Sequence, residues 1–246
     1  MTGDLETRRR SAPWLSDKRP VLEYWAGCYD RVFIALHPFQ DAQRARTRTL
    51  AEIGRRCAAP DFATMVWTTM LMTCAGVSSR TADLAPFRFA HLIDQDLMAR
   101  IEAFQDDEGL SPPDCDALPS ALAPAFADAF DAVGADGLSA AHHQVEACRR
   151  LTVADLRARD RRTGAPSPNW RMEGRRPNVL HDDACRMLIA CQPMDCVETM
   201  IAIRNDVVES AALDRRFEGL WAGPHTTVGW MNDIARLDPP AGFGQA

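Results

Sequence analysis

Only two of the 246 residues are tyrosine, and no stretch of useful length alternates apolar with polar residues. Both absences argue against a strand-rich fold, because aromatic and β-branched residues favour the pleated, half-buried surface of a sheet. Basic charge is in deficit too: 28 Lys and Arg stand against 34 Asp and Glu, a formal net charge of −6. That balance lacks the electrostatic footprint of a partner for nucleic acid or an anionic membrane. There is no Gly-rich phosphate loop and no GxSxG elbow. The eight cysteines contain no CxxC pair, so they read as buried thiols in a reducing compartment and not as a disulfide framework. Arg8-Arg9-Arg10 is not followed by an apolar run, so no secretory leader is expected. The uncharged stretch from Phe62 to Ser79 carries Thr64, Thr68, Thr69 and Thr73. It is at the short limit for a span of roughly 20 apolar residues, and a buried core helix suits it better. The expectation is a soluble, cytoplasmic chain with no membrane span.

What the sequence has in quantity is Ala, Arg, Asp, Leu and Met, a balance that favours helix. Apolar residues at three- and four-residue spacing predict a helix from Val21 to Leu36, ended by Pro38, and another from Asp41 to Cys57. Asp61 is placed to cap the apolar helix that follows, ending near Gly76. Further helices are expected over Leu84–Phe104, Ala125–Val133 and Ser139–Arg161. The Gly- and Pro-rich segment Thr163–Asn178 is the clearest break. Beyond it one long helical region is expected from Val179 to Phe217, kinked at Pro193, and a last helix from His225 to Leu237. With no internal repeat, the predicted architecture is all-α: an irregular helical bundle over residues 21–238, between a flexible arm (1–20) and a tail (239–246).

Two metal-like patterns do not meet their spacing rules. His181-x3-Cys185-x5-Cys191-x4-Cys196 has none of the spacings of a zinc finger or knuckle. His142-His143-x-x-Glu146 lacks the paired Glu-x-x-His of di-iron bundles, since Arg149 and Ile201 stand where the histidines would be.

The segment from Trp170 to Asp238 is more distinctive. It reads Trp-Arg-Met-Glu, then Arg175-Arg176-Pro177-Asn178, Arg186, Gln192-Pro193 and Glu198, and finally Trp230-Met231-Asn232-Asp233-Ile234. Order and spacing resemble the C-terminal half of bacterial class I terpene synthases. The resemblance covers about 70 residues, with a weaker likeness around His37-Pro38. It implies a truncated form of that family's helical fold, with Arg186 as sensor of a substrate diphosphate. It further implies Asn232, Asp233 and Asp94 near magnesium, and catalysis by Arg186, Asp94 and Asn232. An allylic diphosphate ionises only if its charge is neutralised as it leaves, which magnesium and an arginine clamp accomplish. The carbocation then needs a dry aromatic pocket, for which Trp67, Phe87, Phe89, Trp221 and Trp230 are the candidates.

The resemblance thus implies a carbon–oxygen lyase acting on a prenyl diphosphate with Mg2+. The chain departs from the family where Arg236 and Pro240 occupy the positions of the remaining metal ligands after Asn232. Asp94-Gln95-Asp96 is also a sparse acidic motif. The alternative reading is a non-catalytic helical binding or interaction protein, completed by another copy or by a partner chain.

Overall fold

The computed structural model describes residues 10–11, 13, 19–41, 44–74, 94–115, 117–191 and 197–227, with some side chains of 62–74 left out. Its organising feature is a sheet, which overturns the all-α expectation. The elements in order are α1 (Val21–Tyr24), β1 (Arg31–Leu36), β2 (Phe39–Asp41), β3 (Arg46–Arg48), α2 (Leu50–Arg56), α3 (Phe62–Cys74) and α4 (Gln95–Glu108). There follow α5 (Ala123–Ala132), β4 (Leu138–His142), β5 (Val145–Leu151) and α6 (Val153–Leu156). The chain then runs through β6 (Val179–Asp182), β7 (Met187–Cys191), β8 (Glu198–Ile203), α7 (Val208–Ala211), α8 (Leu213–Arg216) and β9 (Gly219–Trp221). Seven strands form one sheet in the order β5-β4-β6-β7-β8-β1-β9, and β2 pairs with β3 in a separate ribbon. Every pairing is antiparallel.

The physical reason for the miss lies in the central strands. Every residue of β6, β7 and β8 is buried, as are all but the first of β1. A strand covered on both faces has no polar side to alternate with, so MLIAC, MIAI and VFIAL read as continuous apolar runs that periodicity cannot tell from buried helix. The expected helix over Val21–Leu36 is one turn of helix followed by β1, and the expected helix over Asp41–Cys57 reduces to α2 behind β3. Ser139–Arg161 is a β4–β5 hairpin with the short α6, and Val179–Phe217 holds three strands.

Two layers of helix and loop cover the sheet. On one face Ile34 and Leu36 of β1, Leu188 of β7 and Met200 of β8 pack with Leu50, Ile53, Met65, Leu97 and Ile101 from α2, α3 and α4. On the other, Phe33, Ile189, Ile201 and Ile203 meet Phe126 and Phe130 of α5, Leu156 of α6 and Trp170. Alternate residues of one strand thus feed opposite cores, as the pleat dictates. Burying a Leu, Ile or Phe contributes roughly 1.5–3 kcal/mol each, so these two cores are the main source of stability.

Local signals read from the sequence hold where they concern ends of elements. Asp61 caps α3, its carboxylate accepting from the Thr64 amide at 2.8 Å. The helix expected at Ala125–Val133 forms as α5. Among the described residues no helix is long and apolar enough to cross a membrane.

The edge strand β9 is held from both ends of its approach. The Glu218 carboxylate accepts from the amides of Leu50 and Ala51, both at 2.6 Å, and so closes the first turn of α2. Burial pushes the Glu218 carboxyl up, against the lowering effect of these two amides. Its own carbonyl accepts from the Leu36 amide at 2.8 Å. At the next position a Cβ would meet the Ile34 carbonyl oxygen at 2.0 Å, so only glycine fits at Gly219. Gly219 then pairs with Ala35 and Trp221 with Phe33, which fixes Trp221 against the start of β1.

Candidate functional site

Polar side chains gather at the two ends of the sheet, and the two gatherings differ. At the end where β1 finishes and β8 begins, His37 and Thr199 are completely buried. His37 Nδ1 lies 2.6 Å from the Asp114 carbonyl oxygen, and Nε2 lies 2.7 Å from the Thr199 hydroxyl. A carbonyl only accepts, so Nδ1 carries the proton and donates, and Nε2 accepts from the Thr199 O–H. Burial pulls the His37 pKa down to about 4, outweighing the raising effect of the Asp114 carbonyl. The Asp114 carboxylate is engaged by Arg176 Nη1 at 2.7 Å. Two residues on, the Asn178 side-chain oxygen accepts from His143 Nδ1 at 2.6 Å, and His143 stacks on His142 at 4.4 Å.

This chain of bonds has the outline of a hydroxyl activated by a histidine. Its energetics favour a different role. Taking the threonine proton would create an imidazolium in a site where burial disfavours it. Behind the ring stands a carbonyl, not the carboxylate that stabilises the cation in a catalytic triad. The contacts tie Asp114 and the 176–178 segment to the strand ends, and the two bonds of the buried His37 ring satisfy groups that would otherwise be costly to bury.

The opposite end, where β1 begins, holds a cavity of about 300 Å³. Val208 and Leu213 contribute apolar side chains to its mostly polar lining. Trp221 forms one side: Arg31 Cζ sits 3.9 Å from the indole centroid, and Phe33 meets the same ring edge-on at 5.1 Å. Glu209, Asp214 and Arg215 complete the lining with Ala212. Ala212 has φ 43°, left-handed backbone joining α7 to α8, a conformation costing about 1–2 kcal/mol in a residue with a Cβ. Among the described residues none of Arg31, Glu209, Asp214 or Arg215 is in a salt bridge. Two cations and two anions thus line one hollow with no ion pair among them, Glu209, Asp214 and Arg215 being exposed to solvent. A second cavity, of about 180 Å³, is lined by Asp41, Arg46 and Arg159. Its charges are already committed, Arg46 to Asp41 and Glu108 and Arg159 to the Gly164 carbonyl.

Of the residues singled out from sequence, Trp221 is on the larger cavity. Arg186 is not on a helix but in the turn between β6 and β7. Its Nε donates to the buried Asp182 carboxylate at 2.8 Å and its Nη2 to the Gly134 carbonyl at 2.8 Å. The other Asp182 oxygen accepts from the amides of Arg186 and Met187. That arginine is occupied in closing a hairpin. Asp94 is the N-cap of α4, accepting from the Leu97 amide at 2.9 Å. Trp67 lies on α3, and its side chain is outside the described residues, as are Phe87, Phe89, Trp230, Asn232 and Asp233.

Among the described residues no cluster of three or more His, Cys, Asp or Glu could hold a metal ion. His181 and Cys191 are buried on adjacent strands, while Cys148 is exposed on β5. Reading from sequence missed Arg31 altogether. Its partner Trp221 is distant along the chain, and only the β1–β9 pairing joins them.

No curated protein and no solved structure matches this chain. A family model does match, over residues 17–232, and it spans both ends of the sheet. The chain belongs to the family described as "Protein of unknown function (DUF2711)".

Proposed function

We propose that this chain is a small-molecule-binding protein whose ligand, a free α-amino acid or a dipolar molecule of that size, occupies the cavity beside Trp221. The observation that carries this reading is the set of charges around one hollow, two guanidinium and two carboxylate groups, with no ion pair to any of the described residues. A ligand with a carboxylate and an ammonium group neutralises both signs at once. Arg31 is the natural anchor for the carboxylate. Stacking on Trp221 holds its guanidinium plane and leaves its N–H donors for a bidentate contact. Glu209 and Asp214 stand ready for the ammonium group. A volume of about 300 Å³ is at the lower end of known ligand sites and suits a small solute.

The isoprenoid reading has no comparable support. It needed a helical bundle with Arg186 aimed at a shared hollow. The chain is built on a sheet instead, and Arg186 is bound to Asp182.

The test is isothermal titration of the whole protein with each common amino acid, followed through Trp221 fluorescence. Binding is expected for a subset of them. Arg31→Gln should weaken it at least about tenfold, equivalent to about 1.4 kcal/mol, with circular dichroism unchanged. If no amino acid gives heat or a fluorescence change at millimolar concentration, the reading fails. It fails equally if Arg31→Gln binds as tightly as the native chain.

A further inference from the structure

Six of the eight residues lining the Trp221 cavity come from one short stretch, Val208–Arg215. The stretch carries Glu209, Asp214 and Arg215, three of the four charges, so its shape sets where they stand. Yet α7 and α8 are single turns of four residues each, and a helix of that length has no stability of its own. Between them Ala212 sits at φ 43°, in the left-handed region, so the local backbone opposes the corner. Ala211 and Leu213 are fully buried and root the corner in the core, and Phe217 behind it meets Phe126 at 5.5 Å between ring centroids. Apolar packing of this kind is non-directional and fixes depth better than angle.

The directional bond across the corner comes from Arg216. Its Nε donates to the carbonyl of Ala211, the last residue of α7, at 2.8 Å. Its Nη1 lies 4.0 Å from Asp128 of α5, a carboxylate whose other oxygen is held by Arg157 at 2.6 Å. Arg216 thus joins α8 to α7 and reaches α5, and it does not line the cavity itself. Arg215, next to it, lines the cavity and is in no ion pair with the described residues. The two adjacent arginines are employed in opposite ways.

We infer that Arg216 is the positioning residue of this cavity: its bond to the Ala211 carbonyl holds the α7–α8 corner at the angle at which Glu209, Asp214 and Arg215 face the ligand. The inference rests on the reading of the cavity as an amino-acid site. A ligand then meets charges already in place, which lowers the ordering cost of binding. Without the bond the corner samples other angles, and apparent affinity falls by the fraction of molecules that remain competent.

Two variants separate the bond from the bulk of the side chain. Arg216→Met keeps an unbranched apolar stem and removes the donors, whereas Arg216→Lys keeps a charged donor. Hydrogen exchange is followed in the ligand-free protein at the amides of Ala212, Arg215 and Phe217, which donate to the carbonyls of Val208, Ala212 and Leu213. In Arg216→Met these amides should exchange at least about tenfold faster than in the native chain, while amides of β1 and β8 keep their native rates and circular dichroism is unchanged. Arg216→Lys should restore most of the protection. In titrations with the common amino acids, Arg216→Met should weaken binding at least about tenfold, and Arg216→Lys by less. Native exchange rates in Arg216→Met would overturn the inference. So would exchange that rises equally across the whole sheet, which makes Arg216 a general stabiliser, or faster corner exchange with native affinity. A native chain that binds no amino acid refutes the ligand reading instead, and exchange in the ligand-free protein still decides whether Arg216 holds the corner.

Discussion

The two ends of the sheet hold similar side chains in different circumstances. At the end of β1, His37, Thr199, Asp114 and Arg176 are joined by hydrogen bonds and an ion pair, with His37 and Thr199 fully buried, and Asn178 and His143 pair beside them. At its beginning, Arg31, Glu209, Asp214 and Arg215 line a cavity and form no ion pair with any of the described residues. The difference separates polar groups bonded to one another inside the fold from polar groups left to solvent at its surface. Burying a polar group without a partner costs about 1–3 kcal/mol in proteins. A closed end must therefore satisfy itself, while an open end is solvated until a ligand displaces the water. Histidine beside a hydroxyl is, on its own, weak evidence of catalysis. Access and the stability of the product ion decide it.

The sharpest way to break the contrast is Gly219→Ala. The added Cβ collides with the Ile34 carbonyl, forcing β9 from β1. We expect a loss of about 3 kcal/mol in urea unfolding together with loss of ligand response, because Trp221 moves with β9. Unchanged stability would show that β9 does not depend on that close approach.

Acid should act on the closed end through His37; burial also lowers the pKa of His142 and of His181. Burial holds His37 at about 4 against its ordinary 6.5, so between these values the unfolded chain takes up a proton that the folded chain refuses. Its contribution is present above the ordinary value and is lost as pH falls through this window. Linkage makes the loss about 2 kcal/mol near pH 5. Urea titrations from near-neutral to acid pH should show that slope, and His37→Gln should reduce it by the His37 share. An equal slope in the variant would mean that another group is responsible.

Thr199→Val sharpens the comparison further. The side chain keeps its shape but removes the donor to Nε2, at an expected cost of about 1.5 kcal/mol. Amino-acid binding at the far end should keep its native affinity. A tenfold change in affinity would couple the two ends and contradict their separation.

What was legible in the sequence was mostly local. Asp61 caps α3, α5 forms near its expected place, and the Gly/Pro-rich stretch before Asn178 is irregular. The central strands were illegible because sheet and helix look alike when every side is buried. Asp94 shows the same limit in the candidate site. An acid at the start of an amphipathic stretch serves as a cap or as a metal ligand with the same letters around it, and the hydrogen bond to the Leu97 amide decides for the cap.

By itself, the amino-acid order determined the chain's acidity, its apolar segments and several element ends, since these depend on neighbouring residues and on counts. Only the tertiary structure decided which apolar runs became strands and which charges came to line one cavity. Strand pairing and charge pairing join residues from distant parts of the chain, as β1 meets β9 and Arg31 meets Trp221. No local pattern carries the free energy of contacts that exist only after the sheet has formed.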